Sequence, residues 1–553
     1  MADSSCGPRP LPPDDLALLS GLQPHDVRKV AESKIQAYRA MIEDINGYII
    51  QLSTIQNTTV PLHASLPPEI LMHVFRHILP TGPSDLRLTH VCKLWRDLIF
   101  RTPEFWVDML AISAVTAHLD HNTDSPLSFP SFVVRSSPLP FELDLHRGAL
   151  DFLRTIPSHV SRIHSLSLHL PLGSDYAAYL TALFNLDMPL LETMRCSTYA
   201  TAWPIGLTDS TTHRVPDGQK FPRLRKLAFC GPGLPTRAFA FPSLRELKFD
   251  DGMFSEPLGP LMDFLESCAQ LEVLEMNIQS PARQFRTERD AVSLPHLKIF
   301  SLLLDAPEGL WAYDFLEQVI VPATAQMNIT WLAGSDHPLR YLIPTSPLSL
   351  SVEAIQVIHT LTIRFNYDRT VRDDSKWILS VNGFVPSHSQ PYLKLTIHCP
   401  CWTLEEDVRP SDALSDLSGL FTCAPSLQKV KLRLDHGITV TPDHWFVILN
   451  SFPSLSSLTV RIGSCRSLLT VLRRNPTRWP ALRRLSISCR NGSGVHECLL
   501  SAIERRAREG SRLEYIAFSG SPRRRLSEHR MRRLEGLVDE VTTVNEVEFC
   551  GMH

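Results

Sequence analysis

Two histidines lie where one metal ion could reach both of them. His73 and His77 are four residues apart in a predicted helix, and that spacing places two imidazole rings on one helix face. A third ligand and the glutamate of a His-Glu-x-x-His motif are missing from this segment. We therefore interpret both residues as exposed helix histidines and predict no metal site.

Cysteines provide two further groups with possible chemistry. Cys399 and Cys401 lie beside His398, and the three side chains could approach a metal ion. We interpret them instead as a strand end with two neutral thiols. Cys498 follows directly on a histidine and a glutamate, two groups that could activate a thiolate nucleophile. Sequence alone provides no geometry for that site, so we expect no catalysis there.

Motifs of the common enzyme classes are missing from the chain. No Gly-x-x-x-x-Gly-Lys-Ser/Thr loop and no Gly-x-Ser-x-Gly elbow occur, and Gly492-Ser493-Gly494 lacks the third glycine of a dinucleotide fingerprint. Paired CxxC knuckles, which would bind zinc, are also missing. We predict no catalytic residue, no metal and no cofactor, and we interpret the protein as non-catalytic.

The composition is that of a globular protein with more than one domain. The chain has 553 residues, of which 43% are hydrophobic and 20% charged, with a formal net charge of -3. Because the charge is slightly negative, a general polyanion-binding surface is not expected. No secretory signal and no apolar run of about 18 residues is visible. We expect a cytoplasmic or nuclear protein that is neither secreted nor bound to a membrane.

The N-terminal part predicts a disordered segment followed by a helix. Residues 1–25 are predicted to be disordered and residues 26–58 to form one amphipathic, coiled-coil-like helix. Two interpretations of its apolar seam stay open: a short coiled coil that dimerises, or a helix packed on its own chain, and we favour the second. The seam repeats every four and three residues, as coiled coils do: Ala31, Ile35, Tyr38, Ile42, Ile45, Ile49 and Leu52.

Residues 62–110 predict three short helical pieces. Proline at 67 and 68 suits a first helical turn, and Glu69 lies favourably near the positive end of the helix dipole. The helix then carries an apolar stripe two residues wide. A module of about 45 residues with so many apolar groups needs another surface to complete its core.

The motifs of this segment resemble the F-box family. The resemblance rests on two strings, LPPEILMHVFRHILP and LTHVCKLWRDLIFRTPEFW, and covers about 45 residues. The helix upstream is also similar to the arrangement of mushroom-type fungal F-box proteins. The matching positions are Leu66-Pro67, Glu69-Ile70-Leu71, Val91-Cys92-Lys93, Trp95-Arg96, Pro103 and Trp106.

The resemblance implies a substrate-recognition subunit of a Skp-cullin-F-box ubiquitin ligase. Its F-box would bind a Skp-family adaptor and through it a cullin, while the rest of the chain binds an unknown protein substrate. We expect no membrane and no nucleic acid among its partners. The predicted adaptor-binding residues, some as contacts and some as support, are Leu66, Pro67, Pro68, Ile70, Leu71, Ile78, Val91, Trp95, Leu98 and Trp106.

Residues 140–553 repeat a Pro-x-Leu-x-x-Leu-x-Leu-like phrase. Clear copies begin 20, 27 and 26 residues apart from Leu224 to Leu297, and 28, 27 and 31 apart from Leu427 to Leu513. Leucine-rich repeats have periods of about 20–29 residues. The predicted fold is therefore α+β and multidomain: a helix and a small helical F-box, then an irregular leucine-rich-repeat-like α/β solenoid with parallel strands. The stretch 305–400 breaks the period and holds degenerate repeats, for example near 327–331, or an insertion.

An arginine cluster marks the C-terminus. Ten arginines lie between Arg505 and Arg533, and we interpret them as a solvated helix face with Glu504, Glu509 and Glu528 as partners. A nuclear-import or acidic-substrate patch is the second interpretation.

Other functions fit the sequence less well. The main alternative is a leucine-rich-repeat scaffold that acts outside ubiquitin ligation. A helix-turn-helix over 66–101 has too broad an apolar face, and no motif supports a hydrolase in the irregular segment.

Overall fold

The computed structural model forms two compact units, residues 1–116 with 125–139 and residues 140–553 with 117–124. The structure describes residues 10–60, 65–78, 86–116, 129–145, 153, 156–170, 183–198, 220–230, 241–252, 258–278, 290–304, 310–332, 355–368, 376–386, 389–400, 414, 417, 421, 424–434, 438–489, 495–519 and 527–543.

The described part of the first unit is helical. Its longest helix, α2, has 35 residues, and the helices after it are short. In chain order the helices are α1 Pro13–Leu19, α2 Pro24–Thr58, α3 Pro68–His77, α4 Leu88–Val91, α5 Lys93–Arg101, α6 Pro103–Thr116 and α7 Phe129–Arg135.

Helix α1 lies within residues 1–25, the segment that the sequence predicts to be disordered. Asp15 of that helix is buried. Its carboxylate forms an ion pair with Lys34 Nζ of α2 at 2.8 Å and accepts a hydrogen bond from the Tyr38 hydroxyl. Its hydrogen bond with Lys34, together with that of Tyr38, lowers the pKa of Asp15. Residues 1–9 lie outside the described residues.

The large apolar residues of the α2 seam are exposed in the described part of the chain. Ile42 is 57% exposed and Leu52 is 66% exposed, and the other large seam residues are exposed as well. A helix packed on its own chain and a dimeric coiled coil both stay predictions.

The second unit is built on a sheet of 16 strands with a separate pair, β7 and β9. The strands are β1 Phe141–Leu145, β2 Ile163–Leu170, β3 Thr193–Thr198, β4 Lys226–Cys230, β5 Glu246–Gly252, β6 Val273–Ile278, β7 Val292–Ser293, β8 Ile299–Leu304, β9 Val319–Ile320, β10 Gln326–Leu332, β11 Thr360–Asp368, β12 Lys376–Phe384, β13 Leu393–Pro400, β14 Lys429–Leu434, β15 Ser457–Ile462, β16 Arg484–Cys489, β17 Tyr515–Ser519 and β18 Glu540–Thr543.

Helices lie between the strands in the chain. Most of their apolar residues are buried, as in α8, where Leu261 and Leu265 lie four residues apart on the inner side. These helices are α8 Leu258–Ser267, α9 Leu310–Gln318, α10 Pro442–Asn450, α11 Arg466–Arg474, α12 Val495–Arg508 and α13 Glu528–Glu535.

Equivalent leucines of successive repeats form continuous rows across the sheet. Leu227 faces Leu247, which faces Leu274, which in turn faces Phe300 of the next parallel strand. All four side chains are buried. Because side chains alternate along a strand, the residue before and the residue after each of them point to the other face of the sheet. The repeated spacing thus aligns one apolar position per strand.

The recurring proline marks the turn that enters each strand. The carbonyl of Phe221 accepts a hydrogen bond from Leu224 N–H at 3.1 Å, and Phe241 accepts one from Leu244 at 3.0 Å. The same bond joins Phe452 to Leu455. Proline follows the accepting residue each time, where its fixed φ favours a β-turn. The phrase therefore encodes a turn and then a buried strand.

The stretch 305–400 contains one strand parallel to its predecessor and three further strands. Strand β10, at the position of the predicted degenerate repeat near 327–331, pairs in parallel with β8. The next three strands fold back as β11, β12 and β13, and β12 is antiparallel to both neighbours. Because β13 pairs with β10 while β11 pairs with β14, the inserted strands continue the sheet in reversed order.

The C-terminal arginines are mostly paired with carboxylates. Arg505 forms an ion pair with Glu509 at 3.8 Å, and Arg508 forms one with Glu504 at 3.6 Å. Arg532 is paired with Glu528 in the same way. The predicted glutamate partners are thus confirmed, whereas residues 523–525 lie outside the described residues.

Among the described arginines of the cluster, Arg506 is the exception, since it is only 1% exposed. Its guanidinium donates to the carbonyls of Pro476, Trp479 and Leu482 at 2.9, 3.1 and 3.4 Å. Burial lowers the pKa of Arg506 to about 10, so it stays protonated at neutral pH. This arginine is a structural link to the turn that enters β16.

Candidate protein-interaction site

Helix α3 presents two adjacent apolar stripes with opposite environments. Leu71 and Phe75 are 2% and 1% exposed and form its inner stripe. Ile70, Val74 and Ile78 repeat every four residues beside them and are 45%, 42% and 51% exposed. Since exposed apolar residues in a contiguous row mark interaction sites, the outer stripe is the first part of the candidate site.

Helices α4 and α5 provide a second exposed apolar pair. Val91 is 54% exposed and Leu94 is 37% exposed, three residues further along. Arg96 Nε donates to the carbonyl of Thr89 at 2.8 Å and so fixes the bend between the two helices. Cys92, buried at that bend, separates the helices with an extended backbone.

Trp106 forms the core beneath these helices. It is fully buried, and its Nε1 donates to the carbonyl of Ile99 at 2.9 Å. Phe105 packs edge-on against the ring with centroids 5.6 Å apart, and Phe132 of α7 lies 5.3 Å away. A buried tryptophan with its N–H satisfied holds the helices in fixed positions.

Two further contacts connect the helices. Arg76 of α3 donates to both carboxylate oxygens of Asp108 in α6, with Nη2 at 3.2 Å from Oδ1. That hydrogen bonding raises the pKa of Arg76. The rings of Phe75 and Trp95 lie 4.6 Å apart and join α3 to α5. The exposed apolar residues therefore lie on helices that are connected to one another.

Helix α7 belongs to this core, and the sequence analysis missed it. Its Arg135 lies over the ring of Phe100 at 4.0 Å and over Trp106 at 5.2 Å. The only sequence signal was the short run Phe129–Arg135, which is too brief to show a period.

This arrangement agrees with the comparison with known families. Residues 63–110 match the F-box-like family. The segment is an F-box-like domain. A search of curated proteins finds no match to the chain. Helices α3 to α6 fall largely in the matched range, and α7 extends the packed core of the F-box-like domain beyond it.

The predicted adaptor-binding residues divide into three groups by exposure. Leu71 and Trp106 are buried, so they can act only as support, and Leu71 is not accessible as the predicted contact residue. Leu66, Trp95 and Leu98 are half-buried. The exposed members are Pro67, Pro68, Ile70, Ile78 and Val91, and the structure adds Val74 and Leu94, which the prediction had not included.

The two histidines considered as metal ligands lie on the same helix as the site. His73 and His77 are exposed on α3 beside Val74 and Ile78, as predicted. In α12, Glu497 pairs with Arg530, and His496 packs edge-on against Phe518 at 5.3 Å. Among the described residues, no cluster of His, Cys, Asp and Glu could hold a metal ion, and no helix is long and apolar enough to cross a bilayer.

Proposed function

We propose that this chain is the substrate-recognition subunit of a Skp-cullin-F-box ubiquitin ligase. The observation that carries the proposal is the exposed apolar stripe of Ile70, Val74 and Ile78 within an F-box-like domain. Apolar side chains at helical spacing fit a groove or helix face of a partner. The proposed partner is a Skp-family adaptor, which links the chain to a cullin.

In this role the chain accelerates ubiquitin transfer without a catalytic residue of its own. The F-box-like domain binds the adaptor and the repeat unit binds the target protein. Holding the target close to the ubiquitin-loaded enzyme turns a bimolecular encounter into an effectively intramolecular one. The outward face of the long sheet supplies the target-binding surface in this proposal.

The test is a pull-down of the full-length protein, scored for adaptor and cullin. The variant changes Leu66→Ala and Pro67→Ala together. Leu66 is half-buried and Pro67 is exposed, so the double change removes contact area with little effect on the core. We expect the wild type to retain both partners and the variant to lose both.

Circular dichroism and thermal unfolding of the same variant check that its helices and repeats remain folded. A folded variant that still retains the adaptor would contradict the assignment of these two residues. A wild-type chain that captures no adaptor would contradict the ligase role, and a repeat scaffold outside ubiquitin ligation would replace it.

A further inference from the structure

Three polar side chains with complementary chemistry meet at the first strands of the long sheet. Asp144, His169 and Ser197 lie on β1, β2 and β3, which are adjacent and pair in parallel. Each is the last residue but one of its strand, so all three lie near the carboxyl ends of the strands. In open sheets of parallel strands, ligands bind outside these ends. The three residues therefore occupy a part of the sheet where a site can form.

The three groups are connected in one polar row. Ser197 Oγ lies 2.5 Å from His169 Nδ1, and Nε2 of the same ring lies 3.3 Å from Asp144 Oδ1. That carboxylate oxygen is buried and has no other hydrogen-bond partner among the described residues. A hydroxyl, a base and a carboxylate that orients the base, in this order, are the groups that activate a serine as a nucleophile.

The carboxylate determines the direction of the hydrogen bonds in the row. An ionised carboxylate only accepts, so a neutral His169 carries its proton on Nε2 and its Nδ1 accepts. The Ser197 hydroxyl has one hydrogen, and its other acceptor, the carbonyl of Leu168, is more distant at 3.4 Å. Ser197 therefore donates to His169, as a nucleophile does to its general base.

A second histidine of β2 shows what distinguishes this row. His164 Nε2 lies 3.3 Å from Glu142 Oε1, the same distance as in the pair of His169 and Asp144. The Nδ1 of His164, however, is buried and has no hydrogen-bond partner among the described residues. A histidine with a carboxylate thus occurs on these strands without a serine, and Ser197 completes the row only at His169.

The surroundings of Ser197 favour a small substrate. The residue is only 8% exposed, so an extended peptide could not lie against its hydroxyl, whereas a small acyl group needs little room. Arg195, two residues earlier on the same face of β3, is exposed and forms no ion pair with any described residue. A cation at this position would stabilise the negative oxygen that forms when a hydroxyl attacks a carbonyl.

We propose that Asp144, His169 and Ser197 form a hydrolytic site for esters of small carboxylic acids. Ser197 and His169 are its catalytic residues, and Asp144 is a positioning residue that acts through His169. The inference goes beyond the proposed ligase role and does not depend on it, since the row lies in the sheet unit and not in the F-box-like domain.

The reaction consumes one water and needs no other reactant. Ser197 Oγ bonds to the ester carbonyl carbon while His169 takes the hydroxyl proton, and the bond to the alcohol oxygen breaks as His169 returns that proton to it. Water then attacks the acyl-serine and gives a proton to His169, which passes it back to Ser197 Oγ as the acid leaves. The products are one alcohol and one carboxylic acid.

The experiment uses the full-length protein with p-nitrophenyl acetate as a small ester and a fluorophosphonate as a probe of nucleophilic serines. We expect steady release of p-nitrophenolate, and one phosphonate per chain that peptide mass spectrometry locates on Ser197. Ser197→Ala and His169→Gln should each lower kcat about 100-fold or more, because a general base contributes about 10²–10⁴-fold.

A matched pair of variants tests the carboxylate. Asp144→Asn and Glu142→Gln each remove a charge that lies 3.3 Å from a histidine of β2. We expect Asp144→Asn to lower kcat at least tenfold with KM unchanged, because Asp144 orients the base and does not contact the substrate. Glu142→Gln should leave kcat and KM unchanged. Thermal unfolding of both variants checks that they are folded.

Several outcomes overturn the inference. They are a wild-type chain that is not labelled, a label on another residue, and hydrolysis that is equal in His169→Gln and the wild type. Equal losses of kcat in Asp144→Asn and Glu142→Gln also overturn it, since both would then act through the fold. Labelling of the wild type requires no variant, so the inference stays testable even where a variant does not fold.

Discussion

The helical F-box-like domain and the long sheet cover their apolar residues in different ways. In the sheet, each leucine of a row contacts its equivalents on both neighbouring strands, as Leu274 lies between Leu247 and Phe300. In the helical domain, a buried stripe lies directly beside an exposed one, so Ile70 and Val74 remain in water. The leucine rows of the sheet are buried, whereas the helical domain leaves apolar area exposed to water.

The largest effect is expected at the core of the helical domain. Trp106→Ala removes a fully buried ring that contacts three aromatic residues, and such a change costs about 3–5 kcal/mol. Ile78→Ala in the same domain, 51% exposed, should cost less than about 0.5 kcal/mol. Denaturant unfolding, followed by far-ultraviolet circular dichroism because the variant lacks a tryptophan, measures the stability of both variants. Equal losses of unfolding free energy in the two variants would contradict the distinction between the buried core and the exposed stripe.

A leucine row of the sheet should be nearly as sensitive. Leu274→Ala is expected to lower the free energy of unfolding by about 2–4 kcal/mol, because the strands on both sides close only partly over the cavity. Its neighbour Val273 is half-buried on the other face, so Val273→Ala should cost about 1 kcal/mol or less. Hydrogen exchange should locate the loss in β5, β6 and β8, since repeats depend on their nearest neighbours. A loss spread evenly over all strands would contradict this.

The buried arginine tests a polar link within the sheet unit. Arg506→Ala leaves the backbone carbonyls of Pro476, Trp479 and Leu482 without their donor. We expect the free energy of unfolding to fall by about 2–3 kcal/mol. Arg505→Ala, at the adjacent and exposed position, removes one surface ion pair and should change stability by about 0.5 kcal/mol at most. Thermal unfolding of the two variants is the measurement. Similar midpoints would argue against a structural role for Arg506.

The smallest effect concerns the paired charges on the sheet. Burial would raise the pKa of Glu246, but hydrogen bonds from Lys226 and Lys248 outweigh it, and the pKa is lowered from the usual 4.5. Because the folded-state pKa is lowered, this stabilisation is present above pH 4.5 and lost as the pH falls through the folded value. Glu246→Gln should cost about 0.5 kcal/mol at neutral pH and nothing in acid. A constant difference across the pH range would refute the assignment.

The repeat pattern made the strands and their turns predictable. A proline followed at fixed spacing by leucines specifies a turn and the inward side of a strand, so the sequence alone was enough to place Leu224 and Leu455. The order of β11, β12 and β13 could not be predicted, because strand pairing within an insertion depends on contacts distant in sequence. The leucine-rich-repeat interpretation of residues 140–553 stays a prediction.

The candidate site was predictable in its residue types but not in its exposure. The motif indicated both Ile70 and Leu71, adjacent residues of which only Ile70 is accessible. Helical period places them one beside the other, and only the packing of Phe75 against Trp95 decides which stripe turns inward. The pairing of Arg364 with Arg433 was not predictable for a related reason, since the two residues are 69 positions apart and become neighbours only through strand register.

The most direct test of adaptor binding compares two valines of the helical domain. Val91 and Val134 are 54% and 57% exposed, and Val134 lies on α7, outside the matched F-box-like segment. The measurement is the dissociation constant of the full-length protein for a purified Skp-family adaptor, by calorimetry. We predict that Val91→Asp weakens binding about 100-fold, because it desolvates a charge against an apolar interface, while Val134→Asp leaves it unchanged. Equal affinities for the two variants would contradict the assignment of this surface.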